Sequence, residues 1–148
     1  MTQDLPPMTG VRAVLAAVHA RGLVAAVGGS GLLAALGLVS RVHDWDVTTD
    51  APVDQVSSAL TAAGLAFTPA AVRDGAYATR ERFVLPDGPV DLLVGFALRT
   101  ENGVVEFPTR VTGHWRGLPL ADPEVWANAY RHLGRPEKAA LLDTWLTR

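Results

Sequence analysis

The chain has no cysteine, so neither a disulfide nor a thiolate metal site can organise it, and thiols say nothing of its redox compartment. It also lacks any apolar run approaching the ~20 residues that a membrane-spanning helix needs. Its opening residues, Met1 to Gly10, place no basic segment ahead of an apolar one, so no secretory signal is expected, and a cytoplasmic location without membrane association is the default. Charge is sparse and nearly balanced. Thirteen Lys and Arg stand against fifteen Asp and Glu, a formal net charge of −2, with 19% of residues charged. That balance argues against tight, sequence-independent binding to nucleic acid, which rests on many cation–phosphate contacts, although a local basic patch stays open. What the chain has instead is apolar bulk, 49% of 148 residues, enough for one domain with a buried core. The abundance of Ala, Gly, Leu, Val and Arg points to a GC-rich bacterial source.

Hydrophobic spacing supplies the elements. Val11, Val14, Leu15 and Val18 form one stripe of a helix over 10–21, capped by Thr9 and ended by Gly22, after a loose proline-containing lead-in. Leu23–Val27 is an unbroken apolar run of strand length, followed by Gly28-Gly29-Ser30 and a short helix over 31–36 with Ser30 as its cap. A strand over 43–48 comes next. Asp50 caps a helix bearing Val53, Val56, Ala59, Leu60 and Ala63, with Pro52 in its first turn and Gly64 at its end. Leu65–Thr68 reads as a short strand, and 69–78 carries no clear pattern. Thr79–Leu85 and Val90–Leu98 read as strands joined around Asp87-Gly88, and a hairpin turning at Glu101-Asn102-Gly103 returns along 104–112. Asp122 caps a helix with Val125, Trp126, Ala129, Tyr130 and Leu133 on one face. Gly134-Arg135-Pro136 breaks it before a last helix over 136–147. The expected fold is α/β (α+β), a mixed sheet with flanking helices. Its parts are an N-terminal helix in 1–22, a sheet core in 23–117 and a C-terminal helical hairpin in 118–148.

Three features carry chemistry. Two glycines let the backbone turn sharply and approach a ligand, and a helix start behind them offers free N–H groups suited to phosphate. On the following strand Asp44 and Asp46 share one face while Trp45 and Val47 take the other. Like charges at that spacing repel unless a cation lies between them, and a hard ion such as Mg²⁺ accepts oxygen ligands. Asp91 is a lone carboxylate in the apolar run Val90–Val94, so it needs a cation, a donor or water.

The order and spacing of these residues resemble the nucleotidyltransferase superfamily that includes DNA polymerase β, the CCA-adding enzymes, and the aminoglycoside and lincosamide nucleotidyltransferases. The resemblance covers roughly residues 23–98 and rests on Val27-Gly28-Gly29-Ser30, Asp44-Trp45-Asp46-Val47 and Val90-Asp91-Leu92-Leu93. The stretch from Asp44 to Pro52 looks like the head of CCA-adding and bacterial poly(A) polymerase enzymes, and Arg41 to Asp46 looks like small antibiotic-modifying members. It implies two Mg²⁺ ions held by Asp44, Asp46 and Asp91, with Mn²⁺ able to substitute, and an NTP as substrate. It also implies that Asp91 helps deprotonate an acceptor hydroxyl on a small molecule or a partner protein, and that Gly28, Gly29 and Ser30 hold the β- and γ-phosphates. Gly31-Leu32-Leu33 stands where CCA-adding enzymes carry an Arg-Asp pair, and the long tRNA-holding helical body is missing, which argues against tRNA as acceptor. A minimal stand-alone member is implied, of the drug-modifying or antitoxin-system kind.

Plainer readings sit beside these. Asp44 and Asp46 could end a solvated strand, Asp91 could pair with an arginine, and the glycine turn could be an ordinary strand-to-helix connection. His43 reads as a surface residue. Arg41, Arg80 and Arg82 suit a triphosphate, but Arg80, Glu81 and Arg82 could equally form a solvated face. Trp126, Tyr130 and Trp145 read as core, and Lys138 as solvent-facing. Some relatives have lost catalysis, so a non-catalytic, antitoxin-like binding or regulatory module is the alternative function.

Overall fold

The apolar run after the first helix is too short to be helical, and it becomes β1 (Ala25–Gly28), a strand buried at all four residues. In the computed structural model, which describes residues 2–72 and 74–148, β1 lies near the middle of a seven-stranded mixed sheet. Before it comes α1 (Thr9–His19) and after it α2 (Gly29–Ala35), β2 (Trp45–Thr49), α3 (Val53–Ala62), β3 (Thr68–Pro69), β4 (Glu81–Leu85) and β5 (Val90–Val94). The chain continues through β6 (Ala97–Thr100), β7 (Gly103–Glu106), β8 (Gly113–Trp115) and β9 (Leu118–Leu120) to α4 (Pro123–His132) and α5 (Pro136–Leu146). The strand order is β3-β4-β5-β2-β1-β9-β8, and β6 and β7 form a separate two-stranded sheet. The expected class, a mixed sheet with flanking helices and a C-terminal helical pair, is the observed one.

Period-two alternation fixes the two faces of the central strands. Trp45, Val47, Leu92 and Val94 are fully buried. Gly31 of α2 packs so tightly on Val27 and Trp45 that a Cβ there would lie 2.8 Å from Val27 Cγ1 and 3.0 Å from the indole. Burial of such large side chains at ~25 cal/mol per Å² is the main force holding helix to sheet. The opposite face carries Gly28, Asp46, Asp91 and Leu93, and onto it comes α4: a Cβ on Gly28 would sit 2.2 Å from the Trp126 ring. The C-terminal pair is therefore docked through a missing side chain.

Several expected boundaries move. Four helices end as their glycines suggest: Gly22, Gly37, Gly64 and Gly134 have positive φ, and the residue after each donates to the carbonyl five before it. Their starts differ. No side chain caps α1, α2 or α3. Helix α1 begins at Thr9 itself, and α2 begins at Gly29, which puts Ser30 inside the first turn. The Asp50 carboxylate accepts from the Thr109 N–H at 2.8 Å, tying the segment after β7 to the end of β2. Asp122 does cap α4, accepting from the Glu124 N–H at 2.9 Å. The lead-in is not loose: Asp4 pairs with the backbone of Ser40 and Val42, and the Trp45 indole N–H donates to the Pro7 carbonyl at 3.1 Å.

Among the strands, Asp44 stands in a bend just before β2, and β3 covers two residues, Thr68–Pro69. Val90–Leu98 divides at Gly95, where φ is +66° and the chain leaves one sheet for the other. The β7 return stops at Glu106. Residues 118–120, expected to belong to the C-terminal helical hairpin, instead pair with 113–115 in a β-hairpin turning at Arg116-Gly117, both with positive φ, and β9 joins β1 in parallel. In the stretch 69–78, Tyr77 bridges to Leu98, while Arg73 lies outside the described residues.

The docking of α4 on Gly28 makes a direct test. Gly28→Ala is expected to destabilise the fold by about 1–3 kcal/mol through overpacking, measured by urea denaturation, whereas Gly113→Ala, with open space around it, is expected to change stability by less than about 0.5 kcal/mol. Adding Trp126→Leu to Gly28→Ala should recover part of the loss, giving non-additivity that identifies the contact.

Candidate active site

The site forms where β1 turns into α2. Gly28 pairs with Asp46 across the antiparallel β1–β2 ladder, and Asp46 pairs with Asp91 across the parallel β2–β5 ladder. Adjacent strands lie about 4.8 Å apart, so the two carboxyl groups start from neighbouring positions on one face. Gly29 sits at φ +56°, and a Cβ there would fall 2.2 Å from Asp46 Oδ2. The second glycine is thus required twice, by its backbone conformation and by the carboxylate against it.

Asp46, Asp91 and Ser30 line one side of a cavity of about 340 Å³. The other side comes from elements after them in the chain: Phe96 beyond β5, Trp126 and Tyr130 on α4, Arg135 between the C-terminal helices and Lys138 on α5. Phe96 and Trp126 pack with ring centroids 5.2 Å apart and Trp126 and Tyr130 at 5.6 Å, making an aromatic wall. The Lys138 ammonium lies 5.5 Å from the Tyr130 ring centre. Trp126 and Tyr130 are buried, as expected, but they are cavity wall as well as core. Lys138 is half-buried on the cavity, not solvent-facing.

Electrostatics single out Asp46. Burial, then the charges of Asp91 and Asp44, raise its pKa from 3.8 to about 7, against the opposing pull of Arg82 and Lys138. Burial and the Asp46 charge together push the Tyr130 phenol upward as well. Asp91 is partnered: Arg82 Nη2 donates to its Oδ1 at 2.9 Å. Arg82 is therefore paired with Asp91 on the cavity wall and does not stand on a freely solvated face.

The expected site residues do not all converge. Asp46, Asp91 and Ser30 line the cavity and Gly28 and Gly29 lie behind it. Asp44 is exposed and reaches Asp46 through its charge, without lining the cavity. Arg41 is exposed, 3.5 Å from Asp4, and is not a cavity residue. Among the described residues no three His, Cys, Asp or Glu side chains stand close enough together to hold one ion. Two neighbouring carboxylates, Asp46 and Asp91, offer the oxygen donors that a hard divalent cation takes, and Asp46 is costly as an anion where it stands. Sequence reasoning missed Lys138 and Arg135. A usable signal existed, since both cations stand at the start of α5, where the helix dipole favours acids.

No protein-family model and no curated protein sequence matches the chain. Solved structures do. A candidate nucleotidyltransferase from Thermotoga maritima, TM1012, superposes with a TM-score of 0.64 at 20% identity, over 95% of this chain and 92% of that one. The solution structure of the antibiotic-resistance factor ANT(2'')-Ia gives 0.62 at 19% identity, over 94% and 83%. ANT(2'')-Ia in complex with adenylyl-2''-tobramycin gives 0.54 at 17% identity, over 95% and 97%. At these identities the likeness is one of fold alone.

The raised pKa of Asp46 has a consequence for stability. Its folded-state value of about 7 exceeds the ordinary 3.8, so the folded protein holds the proton more tightly than the unfolded chain, and stability falls as pH rises from about 4 to 7. Asp46→Asn, which mimics the neutral acid, is expected to be more stable than the parent at about pH 8 in EDTA, by about 2–4 kcal/mol. That difference should vanish below about pH 4, and thermal melts across the range check it.

Proposed function

We propose that the protein is an Mg²⁺-dependent nucleotidyltransferase that moves a nucleoside monophosphate from an NTP to a hydroxyl of a small molecule or partner protein. The observation that carries this reading is the Asp46–Asp91 pair, side by side on a cavity wall against a glycine turn. Asp46 and Asp91, with Asp44 at their edge, are the residues that would hold Mg²⁺, or Mn²⁺ in its place. Bound there, two such ions would stabilise the attacking and leaving oxygens of an in-line displacement. The chain's own groups have separate tasks. Asp91 takes the proton of the acceptor hydroxyl as its oxygen bonds to the α-phosphorus, and the bond from that phosphorus to the bridging oxygen breaks to release pyrophosphate. Ser30, with the N–H groups of the turn, holds the outer phosphates. Arg135 and Lys138 on the facing wall offset their charge, and the aromatic wall excludes water. The likeness in fold to ANT(2'')-Ia supports a small-molecule acceptor as one of the two classes.

A second reading has its own support. Arg82 is seated on Asp91 and Asp44 stands apart, as a non-catalytic module that binds a nucleotide or a partner would tolerate. One assay separates the two. Each labelled NTP is incubated with the protein, Mg²⁺ or Mn²⁺ and a cell extract, beside Asp46→Asn. The enzyme reading expects label on an acceptor with the parent and a loss of at least about a hundredfold with Asp46→Asn, the scale of losing a group that stabilises transition-state charge. No transfer, with no metal-dependent nucleotide binding, would remove it.

A further inference from the structure

Asp91 already has a cation. Arg82 on β4 and Asp91 on β5 are diagonal neighbours on the same sheet face, because Arg82 pairs with Leu93 and side chains two apart share a face. One guanidinium nitrogen, Nη2, lies 2.9 Å from Asp91 Oδ1, with 34% of the arginine side chain and 19% of the aspartate side chain exposed. The bond uses one nitrogen and one carboxylate oxygen, not the bidentate fork that makes an Arg–carboxylate pair strongest. Arg82 also lines the cavity and lowers the cost of the neighbouring Asp46 charge. It therefore does electrostatically, from one side, what a divalent ion between Asp46 and Asp91 would do.

From this we propose that Arg82 is a resident counter-cation that competes with the metal for Asp91 and is handed over to the phosphates when metal and nucleotide load together. The idea rests on the metal-dependent reading of this site. A divalent ion at Asp91 places positive charge beside the guanidinium, which weakens the pair; the long arginine side chain stays on the cavity wall, where the only new anion is the incoming triphosphate. Metal alone must displace Arg82 without giving it a partner, and so binds weakly. Metal with nucleotide gives it one, so the two ligands bind with positive coupling. Arg82 is thus a positioning residue that keeps the site discharged until substrate arrives.

The test measures Mn²⁺ binding to the full chain by electron paramagnetic resonance, without nucleotide, for the parent, Arg82→Gln and Arg82→Lys, with circular dichroism melts to check folding. Removing the competing charge is expected to tighten Mn²⁺ binding about two- to fivefold in Arg82→Gln, the range set by a partly exposed ion pair, while Arg82→Lys stays near the parent. The α,β-methylene triphosphates of the four ribonucleosides are then titrated in saturating Mn²⁺ and followed by tryptophan fluorescence. The nucleotide that binds best is expected to bind Arg82→Gln about three- to tenfold more weakly. Opposite signs for metal and nucleotide are the signature, since a merely structural role would weaken both. Unchanged or weaker Mn²⁺ binding in a folded Arg82→Gln overturns the proposal while leaving the enzyme reading in place. Absence of Mn²⁺ binding in every variant overturns both.

Discussion

Asp46 and Asp91 face the same way from adjacent parallel strands, and the sheet gives them no means of moving apart. One is pressed against the backbone of Gly29 and the other is fastened to Arg82. Two carboxylates so placed repel, and burial withdraws the water that would screen them. Asp46 absorbs the conflict by holding a proton to about neutral pH. Much of the local architecture follows from keeping this pair tolerable: a glycine where a side chain would strike the carboxylate, an arginine on the neighbouring strand, and a lysine brought over from the last helix.

The C-terminal helices are part of the same arrangement. Without α4 and α5 the sheet face bearing the two aspartates would lose Trp126, Tyr130 and Lys138 from its facing wall. Gly28 admits the Trp126 ring so closely that the helix is registered on the strand end itself, and this sets where Tyr130 and Lys138 fall. The result is a cavity with acids and a serine on one wall and aromatic and basic groups on the other. The proposed nucleoside triphosphate, with a flat apolar base and several negative charges, carries the two kinds of group that these walls would take.

Much of this was legible in the sequence, and the failures have physical causes. Helix ends were readable because a glycine in the left-handed region leaves a local signature. The alternation along Val90–Val94 put Asp91 on the right face because period two is a strictly local property. The starts of α2 and α3 were misread, although Asp122 was rightly read as the cap of α4: Ser30 and Asp50 have the chemistry of caps, but no side chain caps either helix and the Asp50 carboxylate is taken by the Thr109 N–H. The β8–β9 hairpin was missed because its strands are three residues long and one contains Pro119, so composition argues against it while the edge of β1 supplies the partner. Lys138 was misread, and Arg135 given no role, because which face of α5 meets the sheet depends on how α4 docks, and that depends on Gly28 meeting Trp126, a contact between residues about a hundred positions apart. The strand expected over 43–48 begins at Trp45, so Asp44 stands in the bend one residue before it while its charge still reaches Asp46.

The proposal on which the rest depends is that Asp46 and Asp91 together hold a divalent cation. Carbon-detected NMR of the aspartate carboxyl groups tests it by following the Asp46 titration with and without saturating Mg²⁺. The expected result is a midpoint near 7 in the metal-free protein that falls by at least about two units with Mg²⁺, since a cation held between the carboxylates favours their charged forms. A midpoint near 4 without metal, or one near 7 that Mg²⁺ leaves in place, would contradict it.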